Sequence, residues 1–114
     1  MTGLDVFERL GAVIEQRRRE RPEGSYVVQL LDGGHAAIAA KVREESEELI
    51  EAAAAGDAAH TAHEAADLLF HTLVLLSHAG VEPAAVYGEL DRRFGTSGLT
   101  EKAARSGSGE GESC

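Results

Sequence analysis

The sequence contains one cysteine, Cys114 at the last position, so an internal disulfide and a zinc site of paired thiolates are both excluded. Any metal must be held by oxygen or imidazole. There is no tryptophan, aromatics make up only 4%, and no apolar run approaches the ~20 residues that a membrane helix requires. Basic residues are scarce as well: 11 Lys and Arg stand against 20 Asp and Glu, and the net charge of −9 repels nucleic acid and anionic lipid. Neither nucleic acid nor a membrane is an expected partner, and a phosphate-bearing ligand would need cations to bridge it. The opening MTGLDVFERL carries Asp5, Glu8 and Arg9 where an export signal needs an unbroken apolar stretch, so the expected compartment is the cytoplasm. With 114 residues, 43% of them hydrophobic, the chain is too apolar for disorder and too short for two globular domains. Its core is marginal for a monomer and comfortable if shared with a second copy.

What is present reads as all-α. Ala, Leu, Glu and Arg dominate, β-branched residues are sparse, and apolar positions recur at helical spacing. Leu4, Phe7, Leu10, Val13 and Ile14 share one stripe of a first helix that stops before Pro22, with Arg17 to Arg19 in its last turn complementing the dipole. Ser25 caps a short second helix that Gly33 and Gly34 terminate, and a long third helix runs from about His35 to Ala55. Gly56 stands where a helix end wants a left-handed residue, and Asp57 is an N-cap for a fourth helix that ends at Gly80. Pro83 opens a fifth helix to about Phe94. GTSG at 95–98 is a loop, LTEKAAR adds a last turn, and residues 105–114 have the composition of a disordered Gly/Ser/Glu tail beyond a domain spanning 1–104.

The third helix carries EESEE at Glu44 to Glu48, and the fourth carries Glu64 and Asp67 within an otherwise apolar face. A spacing of three puts each pair on one side of its helix. In an antiparallel hairpin pivoting at Gly56, residues whose numbers sum to 112 lie at the same height, so Glu45 faces Asp67 and Glu48 faces Glu64. Four carboxylates at two matched levels repel severely unless something positive lies between them. Hard oxygen donors suit Mg²⁺, with Mn²⁺ as a substitute, and Mg²⁺ shares its remaining positions with substrate phosphates. The metal ligands are then Glu45, Glu48, Glu64 and Asp67, with Glu44 in reserve and Glu47 solvated. A solvated acidic face is the competing reading of EESEE, but it does not explain two charges spent among Ala65, Ala66, Leu68 and Leu69.

His60, Glu64, Asp67 and His71 form one stripe, yet a di-iron bundle wants ExxH on two helices and position 67 is Asp. His71 is read as a packed residue, and His35, His60, His63 and His78 as surface or helix-end residues.

On these residues the chain resembles the phosphoribosyl-ATP pyrophosphohydrolase family of histidine biosynthesis, within the MazG-like all-α nucleoside triphosphate pyrophosphohydrolase superfamily. The superfamily pattern EExxE followed by ExxD is met by Glu44, Glu45, Glu48, Glu64 and Asp67. SYVVQLL from Ser25, KVREESEELIEAA from Lys41, EAADLLFHTLVLL from Glu64 and RRFGTSGLTEKAAR from Arg92 narrow it to the family. SYV stands where SYT is usual, and the tail extends beyond the family core. The resemblance implies a helical bundle completed by dimerisation, Mg²⁺ as cofactor, and hydrolysis of 1-(5-phosphoribosyl)-ATP to 1-(5-phosphoribosyl)-AMP and pyrophosphate, the second step of the pathway.

The residues agree with that chemistry. Cleaving a phosphoanhydride needs charge neutralisation, a positioned water and little covalent help from protein. Glu45 or Glu48 is the expected acceptor of the water's proton. Lys41, Arg92, Arg93 and Lys102 are the candidates for binding substrate phosphate, the last two flanking a loop rich in backbone N–H groups. Two other functions compete: a house-cleaning nucleoside triphosphate pyrophosphohydrolase or dCTPase with the same metal site, and a non-catalytic helical module whose acidic face binds a basic partner.

Overall fold

The computed structural model describes residues 3–95, with side chains over 5–94. Four helices follow in order: α1 (Gly3–Glu20), α2 (Tyr26–Ala55), α3 (Ala58–Ala79) and α4 (Pro83–Gly95), with no strand among the described residues. The expected all-α class is observed. The chain divides into two compact units, Met1–Val81 holding α1 to α3 and Glu82–Cys114 holding α4. The expected loop at 95–98, the last helical turn and the 105–114 tail lie outside the described residues, save for Gly95 at the end of α4.

One difference concerns Gly33 and Gly34. The expected second and third helices are the two halves of α2, which meet at a kink at Gly34, whose φ of 76° and ψ of −170° are not helical, so the break stands at the glycines but spans less chain than a loop. Only one residue leaves helical geometry, so no loop separates the halves. Glycine is required at both positions for different reasons: Gly34 adopts a positive φ, and a Cβ on Gly33 would meet the Ala37 Cβ at 2.6 Å. Ser25 caps α2 as expected, its Oγ accepting from the Val28 N–H at 3.3 Å.

The turn between α2 and α3 sets the register of everything that follows. Gly56 closes α2 in the left-handed region at φ 77°, donating to the Ala53 carbonyl, and the Asp57 carboxylate accepts from the His60 N–H at 3.0 Å. Ile38 and Val74, at equal height about Gly56, are both 0% exposed. They join Ile14, Val27, Leu30 and Leu73 in one core, against which Leu10, Leu31, Phe70, Leu75 and Leu76 pack. α1 supplies Ile14 to that core and is tied to α3 by Glu15, which takes the Arg18 guanidinium and accepts from the Ser77 hydroxyl at 3.3 Å. Those bonds, led by Arg18, hold the Glu15 carboxyl below the ordinary carboxylate value.

α4 starts at Pro83 and carries Arg92 and Arg93 in its last turn. Both donate to Glu89, at 2.6 and 3.2 Å, and lower its carboxyl to about 2. Among the described residues no single helix is long and apolar enough to cross a membrane.

Candidate functional site

The hairpin register delivers the acidic residues of α2 and α3 to one another. Glu45, Glu48 and Glu64 each offer a carboxylate oxygen, and these atoms lie within 4.8 Å of one another. Glu45 and Glu64 are buried, at 7% and 5% exposure, although apolar neighbours dominate that stretch of the hairpin. The Glu45 Oε2 atom is buried with no hydrogen-bond partner among the described residues. A buried, unpaired carboxylate oxygen is costly, and a cation is what relieves it.

Electrostatics report the same crowding. Burial, ahead of any other cause, pushes the Glu45 carboxyl above its ordinary 4.5, and the charges of Glu48 and Asp67 add to the push. Glu48 is raised first by a hydrogen bond with Glu64, which two carboxyl groups can form only if one keeps a proton. The pairing of position 48 with 64 is thus a direct contact, and that of 45 with 67 is felt through charge.

Asp67 keeps different company from the group of Glu45, Glu48 and Glu64. His63, four residues before it on α3, places Nε2 at 3.4 Å from Asp67 Oδ2 and at 3.9 Å from Glu64 Oε1. These three residues form a second group whose donor atoms lie within 4.8 Å. His63 is on the surface as expected, with its side chain 69% exposed, but its place beside the carboxylates goes beyond that expectation. The residue pattern carries part of the signal: a histidine four residues before a carboxylate shares its side of the helix.

His71 is buried beneath the cluster, where packing was expected. Its Nδ1 is 2.8 Å from the Asp67 carbonyl and its Nε2 is 2.8 Å from the Tyr26 hydroxyl. A carbonyl oxygen only accepts, so Nδ1 carries a proton and donates to it, while Nε2 shares a hydrogen bond with the Tyr26 hydroxyl. Phe70 stacks on Tyr26 at 6.0 Å and meets His71 edge-on at 5.1 Å. Both imidazole nitrogens are therefore occupied, and the ring braces the turn that carries Asp67.

Other candidates lie further out. Glu44 is exposed and pairs with Lys41 Nζ at 3.7 Å, and its charge is felt by Glu45 and Glu48. Arg92 and Arg93 engage Glu89 within α4, and Lys102 lies outside the described residues. A groove of about 390 Å³ opens next to the cluster, lined by Glu48, Glu51, Ala52 and Ala55 of α2 and by His60, His63 and Glu64 of α3. Taken together, the hairpin offers oxygen donors from two facing helices at the edge of an open groove, an arrangement that can hold a divalent cation and present it to a phosphorylated ligand.

The model of the family described as phosphoribosyl-ATP pyrophosphohydrolase matches residues 7–94, a span that contains every carboxylate of the cluster. The chain belongs to the phosphoribosyl-ATP pyrophosphohydrolase family. Curated relatives agree with it over most of their length. A phosphoribosyl-ATP pyrophosphatase of Rhodopirellula baltica is 52% identical over 102 residues, covering 87% of this chain and 85% of the relative. One from Methylibium petroleiphilum is 51% identical over 105 residues, covering 92% and 88%. Another, from Azospirillum brasilense, is 49% identical over 100 residues, covering 88% and 90%. The resemblance drawn from the motifs is therefore borne out, and within this pyrophosphohydrolase family the acidic hairpin is the feature whose chemistry must be explained.

Proposed function

We propose that Glu45, Glu48, Glu64 and Asp67 form the catalytic centre with which this chain hydrolyses 1-(5-phosphoribosyl)-ATP to 1-(5-phosphoribosyl)-AMP and pyrophosphate, in the second step of L-histidine biosynthesis. The observation that carries the reading is the buried, unpartnered Glu45 Oε2 set against two more carboxylates from facing helices. Such a cluster is destabilising to the fold on its own, and it makes sense as a cation-binding device.

The donor set fits Mg²⁺, with Mn²⁺ as a substitute: all oxygen, no thiolate, anionic and open to the groove on one side. When bound, the ion supplies charge neutralisation to the polyphosphate. The protein's own part is to hold and orient. Glu45 and Glu64 hold from the buried side, the half-buried Glu48 and Asp67 hold from the open side, and Glu44 stands by with Lys41. In the net reaction, one anhydride P–O bond breaks, the water oxygen joins phosphorus, and the water's proton must leave. Glu48 or Glu45 accepts it. A substrate panel tests the assignment: release of pyrophosphate from phosphoribosyl-ATP should far exceed that from dCTP, dUTP or ATP. Preference for dCTP would move the chain to a house-cleaning role with the same centre.

The raised carboxyls give a pH signature. For both, the folded value lies above the ordinary 4.5, so the native state binds more protons than the unfolded one above that pH. Their contribution to stability is full below 4.5 and is lost as pH rises through the folded values. Metal-free protein should therefore melt at a higher temperature near pH ~5 than near pH ~7. Groups facing the pair are Glu44, Glu64, Asp67 and His71, and saturating Mg²⁺ should flatten the dependence. Melting in EDTA that is flat, or rising from pH 5 to 7, would count against the clustered charge.

For the substrate's phosphates we propose Lys41, Arg92, Arg93 and Lys102, and for the fold a catalytic domain of 1–104 with a dispensable tail. Lys102→Ala should lower kcat/KM by roughly tenfold to a hundredfold, the worth of one charge-assisted contact. Deleting 106–114 should change it little. Full activity of Lys102→Ala on phosphoribosyl-ATP would remove that residue from the set. A homodimer is proposed on the same footing. Ile50 and Leu69 are 61% and 45% exposed, and a unit this small gains most by covering them with a second copy. Sedimentation of a folded monomer at micromolar concentration would contradict it.

A further inference from the structure

We infer that His63 makes the outer half of the carboxylate cluster a second cation position, of mixed nitrogen and oxygen donors, that favours Mn²⁺ and the later first-row ions over Mg²⁺. This rests on the proposed reading of the cluster as a metal centre and deepens it by dividing the cluster into two chemically different halves.

The division is visible in the donor atoms. Glu45, Glu48 and Glu64 form the inner group, and His63, Glu64 and Asp67 the outer one, each with its atoms within 4.8 Å. Donors that surround one ion at about 2.0–2.2 Å are separated by no more than roughly 4.4 Å, so modest side-chain rotation brings either group into range. Glu64 belongs to both groups, and its two carboxylate oxygens allow it to face both at once. The unpartnered Glu45 Oε2, in a side chain more than nine-tenths buried, marks the inner half as built for a cation. His63 is different in kind: its ring is largely exposed at the groove and turns without disturbing the core.

The two donor sets select different ions. Mg²⁺ demands hard oxygen ligands and gives up its waters reluctantly, so imidazole adds little to its binding. Mn²⁺, Co²⁺ and Zn²⁺ accept imidazole nitrogen and gain from it along the Irving–Williams order. The His63 Nε2 atom already faces both carboxylates, at 3.4 Å from Asp67 and 3.9 Å from Glu64, so an ion between them meets nitrogen and oxygen donors together. The outer half thus lets a chain whose inner half is set up for Mg²⁺ retain a transition ion.

The test uses the full chain, freed of metal, with Mg²⁺, Mn²⁺ and Co²⁺ titrated calorimetrically into wild type, His63→Gln and Asp67→Asn. Pulsed EPR on the Mn²⁺ complex reads nitrogen ligation directly. Wild type should show ¹⁴N coupling at bound Mn²⁺. His63→Gln should lose that coupling and about tenfold or more in Mn²⁺ and Co²⁺ affinity, with Mg²⁺ affinity changed far less. Asp67→Asn should weaken all three ions. If wild type binds Mn²⁺ with no ¹⁴N coupling, or the coupling persists in His63→Gln, the assignment to His63 is overturned while the carboxylate centre stands. If wild type binds none of the ions stoichiometrically, the centre itself falls, and this inference with it.

Discussion

Glu48→Gln and Asp67→Asn are each expected to lower kcat/KM on phosphoribosyl-ATP by about a thousandfold or more at saturating Mg²⁺, while the metal-free proteins melt at or above the wild-type temperature. The first effect follows from the role proposed for these carboxylates, since ligands that hold the ion against the phosphates act where transition-state charge builds up, worth several kcal/mol. The second follows from crowding. Glu48 shares a hydrogen bond with Glu64 and lies close enough to Glu45 to raise it, so replacing one carboxylate by its amide removes repulsion without removing volume. For Asp67 the gain in stability should be smaller, because its side chain is 40% exposed and its charge is screened by solvent. Steady-state kinetics and thermal melts in EDTA give both readings on the same samples. Variants that keep near wild-type rates would take these residues out of catalysis, and variants that melt well below wild type would show that the carboxylates stabilise the fold.

That opposition between activity and stability is also why so much of the site is legible in the amino-acid sequence. Gly56 and Asp57 announce a tight helical turn, and once the pivot is known, the height of every residue on either helix follows by counting. Ser25, Asp57, Gly80 and Pro83 each act within one turn of chain, and local hydrogen bonding decides such positions. Charges inside an apolar stretch stand out for the same reason: burial without a partner is too costly to be incidental. What the sequence hides is what depends on direction rather than height. His63 is exposed, so nothing in hydrophobic patterning marks it, and its spacing of four from Asp67 is the one signal of their contact. The break between the second and third expected helices is legible in the two adjacent glycines, but not its brevity: Gly34 alone leaves helical geometry and His35 resumes it. Tyr26 cannot be matched to His71 by counting from Gly56, since the break at Gly34 lies between Tyr26 and the hairpin.

Ile38→Ala should be the most damaging conservative change in the hairpin, costing about 2–5 kcal/mol of stability. Ile38 is 0% exposed and level with Val74, itself 0% exposed, on the side of the pair away from Gly56. It stands two turns before Glu45, about 10 Å along the helix, so the packing of this level holds α2 and α3 together against the repulsion of the carboxylates beyond it. Truncating the side chain leaves a cavity that close-packed neighbours fill only in part. For a unit of this size each lost kcal/mol lowers the melting temperature by roughly 4–8 °C, which puts the metal-free variant near or past its limit. Because the proposed centre takes its ligands from both helices, Mg²⁺ at a hundred times its dissociation constant should return about 2.7 kcal/mol, and turnover should recover with it. Ile38→Val, which removes a single methylene, should cost only about 0.5–1.5 kcal/mol and keep its activity. A melt in which Ile38→Ala loses less than about 1 kcal/mol, or in which Mg²⁺ stabilises it no more than an unrelated salt does, would mean that the register of the carboxylates is set at the Gly56 turn alone and not by the core behind it.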